Sequence, residues 1–438
     1  MNNITLSTKN LIKSSVLVGI FCFSLMGYGQ AETEFVRKSH TLTAPACVLY
    51  AKDYEGQSSI PRPQEVIDRI EGRMDCSSFN VNYSGFTPEA QAAFQFAVDI
   101  WAMSIESSQP ITVSANFAPL DPGVLGQAGP VSVHTSNSPD AVPNVFYAKA
   151  LAEKLDDAQI NPDPFGESVD ITASFSSTFN WYFGLDANPP GGQFDFVSVV
   201  LHELGHGLGF ISFANSDDTI GRIREPGNMI PTAYDLNVEN GAGQSLLDAG
   251  LFTDPSAAMH SQLTSNNIFN NSPIAVGQNG GVIPKMFAPN PWDGGSSYSH
   301  WDENTFPNSN VNSLMTPQIG SGAANHNPGP ISLGLFEDMG WSICGGSLTV
   351  EDFTLGEISV SPNPFTSTIT ITLNNNLNDN YALNVFDING RVVARKSQLA
   401  TNGTLMISNL DDLEDALYFV KITNRTNGAS VTKKVIKN

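Results

Sequence analysis

The sequence DFVSVVLHELGHGL at residues 195–208 predicts a buried helix that carries a metal-binding pattern. His202 and His206 lie four residues apart, so both imidazoles project from one face of the helix and can hold one Zn²⁺. Glu203 lies beside them, where its carboxylate can reach a metal-bound water. The alternative is a pair of hydrogen-bonded core histidines. Buried polar groups need a partner, and another face of the helix carries an apolar stripe of Val197, Leu201, Leu204 and Leu208.

A catalytic zinc site needs a third protein ligand and keeps an open position for water. Glu225 stands where a gluzincin would supply a Glu from a following helix, but Pro226 and Gly227 argue against a helix there. Most metzincins read H-E-x-x-H-x-x-G-x-x-H, and this sequence keeps Gly209, which can end the helix in the left-handed conformation, but has Ser212 in place of the last His. The remaining candidates, besides the carboxylates, are His260, His300 and His326.

One of these three histidines stands in a distinctive context. His300 lies in the segment SHWDE at residues 299–303, and Met315 follows in NSLMTP at residues 312–317. Together with LGLFEDMGW at residues 333–341, these segments resemble the leishmanolysin branch of the metzincins and related bacterial secreted proteases, over roughly residues 76–344. The resemblance implies that His202, His206 and His300 bind zinc and that Met315 forms the hydrophobic base beneath the metal. The rivals of His300 as the third ligand are His326 and Asp302.

The same resemblance implies a secreted zinc endopeptidase in which Glu203 is the general base on a zinc-bound water. An extended substrate would pair with the edge strand of the sheet, for which residues 170–176 are nominated, with Ile171 and Ala173 as substrate-binding residues. The wall of the pocket after the scissile bond would come from residues 316–319, including Thr316 and Pro317.

Two other functions compete with this interpretation. The first is a surface-displayed binding protein in which the zinc site is structural or inactive, although a structural site has no use for a general base such as Glu203. The second is a zinc amidase or esterase that acts on substrates other than peptides.

The predicted catalytic unit, residues 76–345, has an α+β pattern with a mixed sheet, the zinc-binding helix and the Met-containing turn. Thr87 and Pro88 open a helix with an apolar stripe that extends to Ile105. Residues 110–117 and 170–175 are predicted as strands of one sheet. Residues 213–298 are rich in Gly, Asn, Pro and Ser, which predicts a loop-rich or small β insertion.

Residues 1–31 are predicted to be a secretory signal peptide, because Lys9 and Lys13 precede an apolar run shorter than a membrane span. The role of residues 32–75 is open. The mature chain keeps Cys47, Cys76 and Cys344, which allow one disulfide in three pairings. Loop carboxylates and export are compatible with structural Ca²⁺, but no twelve-residue calcium loop is present.

A linker at residues 346–357 leads to a second unit, residues 358–438, whose short alternating runs predict a small immunoglobulin-like β-sandwich with a hairpin turn at Asn389 and Gly390. The segments SPNPF at 361–365, VFDINGR at 385–391, LYFVKI at 417–422 and KKVI at 433–436 resemble the C-terminal sorting domain of the type IX secretion system of Bacteroidota. The resemblance implies a partnership with that secretion machinery and a cell-surface or extracellular location.

The net charge of −22 disfavours binding to nucleic acid or to an anionic membrane. The charge is uneven, because residues 31–357 carry 11 basic and 37 acidic residues, whereas residues 358–438 carry 8 basic and 6 acidic ones. The acidity therefore belongs to the predicted protease, and it favours neutral or basic protein substrates.

Overall fold

The computed structural model describes residues 37–41, 47–53, 56–72, 76–345, 358–373, 380–388, 391–400, 403–424 and 430–438. The predicted signal peptide, the linker at 346–357 and the turn at 389–390 lie outside these residues. Within them, no helix is both long enough and apolar enough to cross a membrane. The chain is a mixed α/β protein with two separate hydrophobic cores.

Seven helices are described: α1 Gln64–Gly72, α2 Pro88–Ala102, α3 Lys149–Asp156, α4 Phe196–Gly207, α5 Ala257–Leu263, α6 Pro273–Gln278 and α7 Pro330–Met339. Single 3₁₀ turns span Ala233–Asp235 and Val311–Met315. The strands of the first core are β1 Ser39–Thr41, β2 Cys47–Lys52, β3 Ser58–Ile60, β4 Phe79–Ser84, β5 Ile105–Glu106, β6 Ile111–Ala118, β7 Val124–Pro130, β8 Ser132–His134, β9 Tyr147–Ala148, β10 Ile171–Ser176, β11 Trp181–Tyr182, β12 Phe194–Asp195, β13 Asn215–Ser216, β14 Gly221–Arg222, β15 Val238–Asn240, β16 Ile268–Asn270, β17 Gln318–Gly320, β18 Ala323–Asn325 and β19 Ser342–Ile343. Those of the second are β20 Ser359–Ser361, β21 Ile369–Thr372, β22 Asn380–Phe386, β23 Val392–Leu399, β24 Thr404–Ile407, β25 Leu417–Asn424 and β26 Ser430–Ile436.

The central sheet has six strands in the order β17-β2-β7-β10-β6-β4. Strands β4, β6 and β10 are parallel, whereas β7 runs antiparallel to both of its neighbours. The predicted mixed sheet is therefore confirmed. The prediction that residues 170–176 form an edge strand is wrong, because β10 lies between β6 and β7 and both of its hydrogen-bonding edges are occupied.

Helices α2 and α4 cover this sheet and pack on each other. Helix α2 begins where predicted, because the Thr87 side chain accepts a hydrogen bond from the Ala90 amide and Pro88 occupies the first turn. Helix α4 begins after Asp195, whose carboxylate accepts hydrogen bonds from the Ser198 amide and hydroxyl. It ends before Gly209, whose φ of +122° strongly favours glycine. All residues of α4 are buried.

Residues 213–298 form two short antiparallel pairs, β13 with β14 and β15 with β16, together with the 3₁₀ turn and helices α5 and α6. The segment is poor in long strands, as its composition predicts. It is nevertheless not a separate layer, because Tyr234, Val238, Leu246 and Met259 belong to the same hydrophobic core as α4.

The N-terminal segment, whose role the sequence left open, contributes β1, β2 and β3 to the fold. Strand β2 is an interior strand of the central sheet. Of the three possible cysteine pairings, the structure contains Cys76–Cys344, and Cys47 is free and buried.

The C-terminal unit is an antiparallel β-sandwich, as predicted. One sheet has the order β20-β21-β24 and the other β23-β22-β25-β26. Their inward side chains, such as Ile369, Leu383 and Val420, form one shared core. Strands β22 and β23 pair as the predicted hairpin requires.

Candidate metal centre

Three histidine side chains meet in one buried place. Helix α4 supplies His202 and His206, and the segment before the Met315 turn supplies His300. The Nε2 atoms of His202 and His206 are 3.0 Å apart, those of His206 and His300 3.1 Å, and those of His300 and His202 3.2 Å. Among the described residues, these three form the one group of His, Cys, Asp or Glu that could hold a metal ion.

Backbone carbonyls fix the tautomer of each ring. The Nδ1 atoms of His202, His206 and His300 lie 2.7, 2.7 and 2.6 Å from the carbonyl oxygens of Leu314, Phe210 and Ser296. Because a carbonyl oxygen can only accept, each Nδ1 carries the proton and each Nε2 presents a lone pair to the common centre.

Three converging lone pairs repel one another unless a cation lies between them. Tetrahedral Zn²⁺ with Zn–N bonds of about 2.0–2.1 Å would separate ligand nitrogens by about 3.3 Å, close to the distances found. The donor set and its spacing therefore fit a zinc ion.

The protonation state of the histidines also suits a metal. Burial lowers the pKa of His202 to about 4. Burial also holds the pKa of His206 and of His300 well below the usual value, with a further contribution from the neighbouring histidines. All three imidazoles are therefore neutral near pH 7, which is the form that binds metals.

Met315 lies against the helix that carries two of the histidines. A Cβ atom at Gly205 would come within 2.8 Å of the Met315 sulfur, so the absence of a side chain at Gly205 lets Met315 approach the helix. The Met315 carbonyl accepts a hydrogen bond of 2.9 Å from the Trp301 amide, which ties the turn to the residue after His300. Met315 thus packs against the helix between the two histidines, and its role as the base beneath a metal stays a prediction.

Glu203 is completely buried beside the cluster. Its Oε1 accepts a hydrogen bond of 3.2 Å from the Leu49 amide, while Oε2 makes no hydrogen bond of ordinary geometry with any described residue. Burial raises the pKa of Glu203 well above its usual value, and the backbone amides of Leu49 and Ala128 act in the opposite direction.

The other candidate ligands have partners elsewhere. His326 pairs with Asp195 at 2.8 Å, and His260 lies 2.7 Å from the Ser216 hydroxyl. Asp302 accepts from the Thr305 amide and hydroxyl and lies 3.6 Å from Lys285. Glu225 accepts from the amides of Gly227 and Asn228 and pairs with His40. The structure thus brings His300, and none of its rivals, to His202 and His206.

The proposed substrate-binding residues fall into two groups. Ile171 and Ala173 are buried in interior strand β10, where the Ile171 side chain packs against the backbone of Gly207, so the nomination of these two residues is wrong. Thr316 and Pro317 lie between the Met315 turn and β17. They flank a pocket beside His202 that is lined by Leu49, Ser198, His202, Leu314, Ile319 and Ala323.

Leu49 is the residue of this site that the sequence analysis missed. It reaches both Glu203 and the pocket, although it lies 154 residues before Glu203 in the sequence. The available signal was the apolar run CVLYA at residues 47–51, which has a strand-like composition but indicates no partner.

Comparison with known proteins assigns the C-terminal module. Residues 359–438 match the family described as the secretion system C-terminal sorting domain. This match makes the chain a secreted protein of the type IX system of Bacteroidota, directed to the cell surface or the extracellular space. It covers less than a fifth of the chain.

Residues 121–226, which include α4, match a family described as SPBPB7E8-like. No curated protein matches the chain. The two family matches together do not name a reaction.

Similar solved structures include a DUF3244 family protein with an immunoglobulin-like β-sandwich fold from Bacteroides vulgatus, at 18% identity and a TM-score of 0.16 over 18% of this chain and 83% of that one. Latent PorU from Porphyromonas gingivalis is 17% identical with a TM-score of 0.16, over 18% of this chain and 9% of that one. PorZ from the same organism, a surface component of the type IX secretion system, is 16% identical with a TM-score of 0.17, over 23% of this chain and 14% of that one. These scores are too low to support an inference about the chain.

Proposed function

We propose that the protein is a secreted zinc endopeptidase of the metzincin type. The observation that carries the proposal is the convergence of three Nε2 lone pairs within 3.0–3.2 Å of one another, next to a buried carboxylate. A zinc ion bound by His202, His206 and His300 would supply a Lewis acid and lower the pKa of a bound water.

The chain's own residues account for the rest of the reaction. Glu203 takes a proton from the attacking water and passes it to the leaving amine. Burial raises the pKa of Glu203, which favours the protonated form that donates to the leaving amine. The carbonyls of Leu314, Phe210 and Ser296 hold the imidazoles in the tautomer that leaves Nε2 free.

One observation favours a structural zinc site instead. The side chains of the three histidines and of Glu203 are at most 1% exposed, so a protein substrate cannot reach them in this conformation. A structural site in a binding protein would have the same burial, but Glu203 would have no catalytic role in it. The zinc amidase or esterase remains a further alternative that shares the mechanism and differs in substrate.

The test measures metal content and hydrolysis in the same preparations. Wild type, Glu203→Ala, His300→Ala and the control His260→Ala are purified without the signal peptide, and zinc is measured by mass spectrometry. Casein and fluorogenic peptides are assayed before and after limited trypsin digestion. Wild type and His260→Ala should hold one zinc per chain and hydrolyse peptides after the trypsin digestion, and a chelator should abolish the activity.

Glu203→Ala should keep its zinc and lose activity by at least about 10²-fold, the lower range for general-base catalysis. His300→Ala should lose both zinc and activity. Hydrolysis that survives in Glu203→Ala would refute the mechanism. Hydrolysis of esters or non-peptide amides without hydrolysis of any peptide would favour the amidase or esterase.

A further inference from the structure

Asp235 is a completely buried carboxylate that ends the 3₁₀ turn Ala233–Asp235. Among the residues that the structure describes, no cation pairs with it. Burial raises the pKa of Asp235 to about 6, whereas the hydroxyl groups of Ser212, Thr232 and Tyr298 and the Thr232 amide act in the opposite direction. A buried carboxylate is costly unless such donors surround it. Its partners therefore indicate which parts of the chain it holds together.

On one side, Asp235 holds the segment that follows α4. Its Oδ2 atom accepts a hydrogen bond of 2.8 Å from the Thr232 amide and lies 2.8 Å from the Thr232 hydroxyl. That hydroxyl also lies 2.9 Å from the carbonyl oxygen of Ile211. The neighbouring residue Phe210 supplies the carbonyl oxygen that orients the ring of His206. Asp235 thus fixes the segment on which the orientation of His206 depends.

On the other side of Asp235 lies Tyr298, which has an unusual backbone conformation. Its φ is +73°, in the left-handed region that favours glycine, and its side chain is completely buried. A residue in this conformation persists only where its surroundings impose it, and such residues cluster at functional sites. The Tyr298 carbonyl accepts a hydrogen bond of 2.9 Å from the Tyr234 hydroxyl, and the Tyr298 amide donates to Phe287 at 2.7 Å. The strained residue is therefore fixed two positions before His300.

The Tyr298 side chain reaches the same carboxylate. Burial raises the pKa of Tyr298 well above its usual value, and the nearby Asp235 carboxylate adds to this effect. Neither the Tyr298 hydroxyl nor Asp235 Oδ1 makes a hydrogen bond of ordinary geometry with any described residue. Since a hydroxyl can donate and a carboxylate can accept, each of these two buried atoms is an available partner for the other. Just before this turn, the Ser296 carbonyl oxygen lies 2.6 Å from His300 Nδ1, so the backbone at Tyr298 sets the orientation of the His300 ring.

We infer that Asp235 is a positioning residue of the candidate metal centre, which ties the segment that orients His206 to the turn that carries His300. The inference rests on the zinc site of the proposed function and does not depend on the reaction. It gives the insertion at residues 213–298 a role, because Asp235 belongs to it. It also gives a role to Ser212, which stands where most metzincins carry their third His, since the Ser212 hydroxyl supports the carboxylate that positions His300.

The test measures zinc affinity in folded variants produced without the signal peptide. Asp235→Asn keeps the shape of the side chain and replaces one acceptor oxygen by a donor. Asp163→Asn is the matched control, because Asp163 is also buried and also accepts from a hydroxyl and from backbone amides. The partners of Asp163 lie outside the segments that hold the three histidines. Zinc is removed, and its dissociation constant is then measured by competition with a chromophoric chelator, alongside the melting temperature.

Asp235→Asn should bind zinc at least about tenfold more weakly than wild type, because partners beyond the ligands typically contribute about 10–100-fold to metal affinity. Asp163→Asn should bind zinc as wild type does, even where its melting temperature falls. Cobalt(II) in the same site reports the ligand geometry through its visible absorption. The cobalt spectrum should change in Asp235→Asn and stay the same in Asp163→Asn.

Tyr298→Phe provides a second variant, which removes only the hydroxyl. It should lower zinc affinity in the same direction as Asp235→Asn but by less, and it keeps the inference testable if Asp235→Asn does not fold. Unchanged zinc affinity in Tyr298→Phe together with unfolding of Asp235→Asn would overturn the positioning role.

The outcomes separate this inference from the proposed function. Zinc affinity that falls in Asp235→Asn and not in the control, in a protein that hydrolyses no peptide, would support the positioning role and refute the peptidase. Wild-type zinc affinity in folded Asp235→Asn, or an equal fall in both variants, would overturn the positioning role and leave the peptidase standing. A wild type that binds no zinc would refute both.

Discussion

At the scale of single residues, three backbone carbonyls set the chemistry of the candidate metal centre. Each of them binds the Nδ1 proton of one histidine and thereby turns the Nε2 lone pair inward. The carbonyls of Leu314, Phe210 and Ser296 belong to three separate segments of the chain, the first of them the 3₁₀ turn Val311–Met315, so the donor set exists only when these segments are in place. Metal affinity and local folding should therefore be coupled.

We expect the metal-free protein to lose stability as the pH falls from about 6.5 towards 4. Burial lowers the pKa of His202 from 6.5 to about 4, so at pH 5 this residue is neutral in the folded chain and protonated in the unfolded one. The unfolded state then binds more protons than the folded state, so the free energy of unfolding decreases as the pH decreases. For His202 alone the loss at pH 5 is about 2 kcal/mol.

Urea denaturation of chelated protein at pH 7.5, 6 and 5 measures this slope. His134, a buried histidine of β8 whose pKa is likewise lowered to about 4, contributes a slope of the same sign. The comparison with His202→Gln isolates the share of His202. An identical pH dependence in wild type and His202→Gln would contradict the prediction.

Residue-level chemistry was predictable where it depends on local spacing. His202, Glu203 and His206 share one helix, and a period of 3.6 residues is enough to place them together. His300 is 94 residues further along and was assigned through family resemblance. No local pattern could place Leu49 against Glu203, because that contact depends on the order of strands in the sheet.

At the scale of elements, helix α4 approaches the sheet closely at Gly207. A Cβ atom at this position would lie 2.4 Å from Ile171 Cγ2, inside the distance that real contacts allow. The interior position of β10 makes this approach necessary, since Ile171 is completely buried beneath the helix.

Gly207→Ala should therefore destabilise the protein by up to about 2 kcal/mol. Alanine gains about 1 kcal/mol over glycine within a helix, but overpacking of a core costs about 1–3 kcal/mol. Gly277→Ala in α6 is the matched control, because no atom lies within 4 Å of its Cβ position and the substitution should be neutral or stabilising. Urea denaturation of both variants gives the comparison.

A double-mutant cycle tests the cause of that effect. Ile171→Ala removes the clashing atoms and leaves a cavity, which costs about 2–5 kcal/mol by itself. In that background Gly207→Ala should cost nothing or stabilise the protein. Purely additive effects would show that the Ile171 contact is not responsible.

The starts of α2 and α4 and the mixed type of the sheet were predictable, whereas the order of its strands was not. Thr87 and Pro88 define the start of α2 through local capping, which sequence reports directly. The position of β10 depends on β7 and β2 pairing beyond it, and nothing in residues 170–176 encodes those partners. The apolar pattern of β10 suits an interior strand and an edge strand equally well.

At the scale of the whole molecule, export and proposed catalysis belong to different parts of the chain. The sorting domain has its own hydrophobic core and a small positive charge, whereas the part before it carries the candidate metal centre and the acidic excess. A disulfide between Cys76 and Cys344, which spans 268 residues, closes a covalent ring that contains all three histidines of the candidate metal centre.

Loss of this disulfide should lower stability substantially. In the chain-entropy account, a loop of this length contributes about 5 kcal/mol. Cys344→Ser should therefore melt at a lower temperature than oxidised wild type, as measured by calorimetry. A reducing agent should shift wild type towards the variant and leave the variant unchanged. Equal melting temperatures for the oxidised wild type and the variant would contradict a stabilising role.

The same cross-link determines which pieces can separate after proteolysis. Residues 37–75 lie outside the covalent ring on one side, and the linker with the sorting domain lies outside it on the other. A single cut in either flank frees that flank without opening the ring, whereas a single cut inside the ring leaves both fragments joined. Cleavage in both flanks would thus leave a core closed by the Cys76–Cys344 disulfide. After one further cut inside the ring, this core should still migrate as a single species on a non-reducing gel.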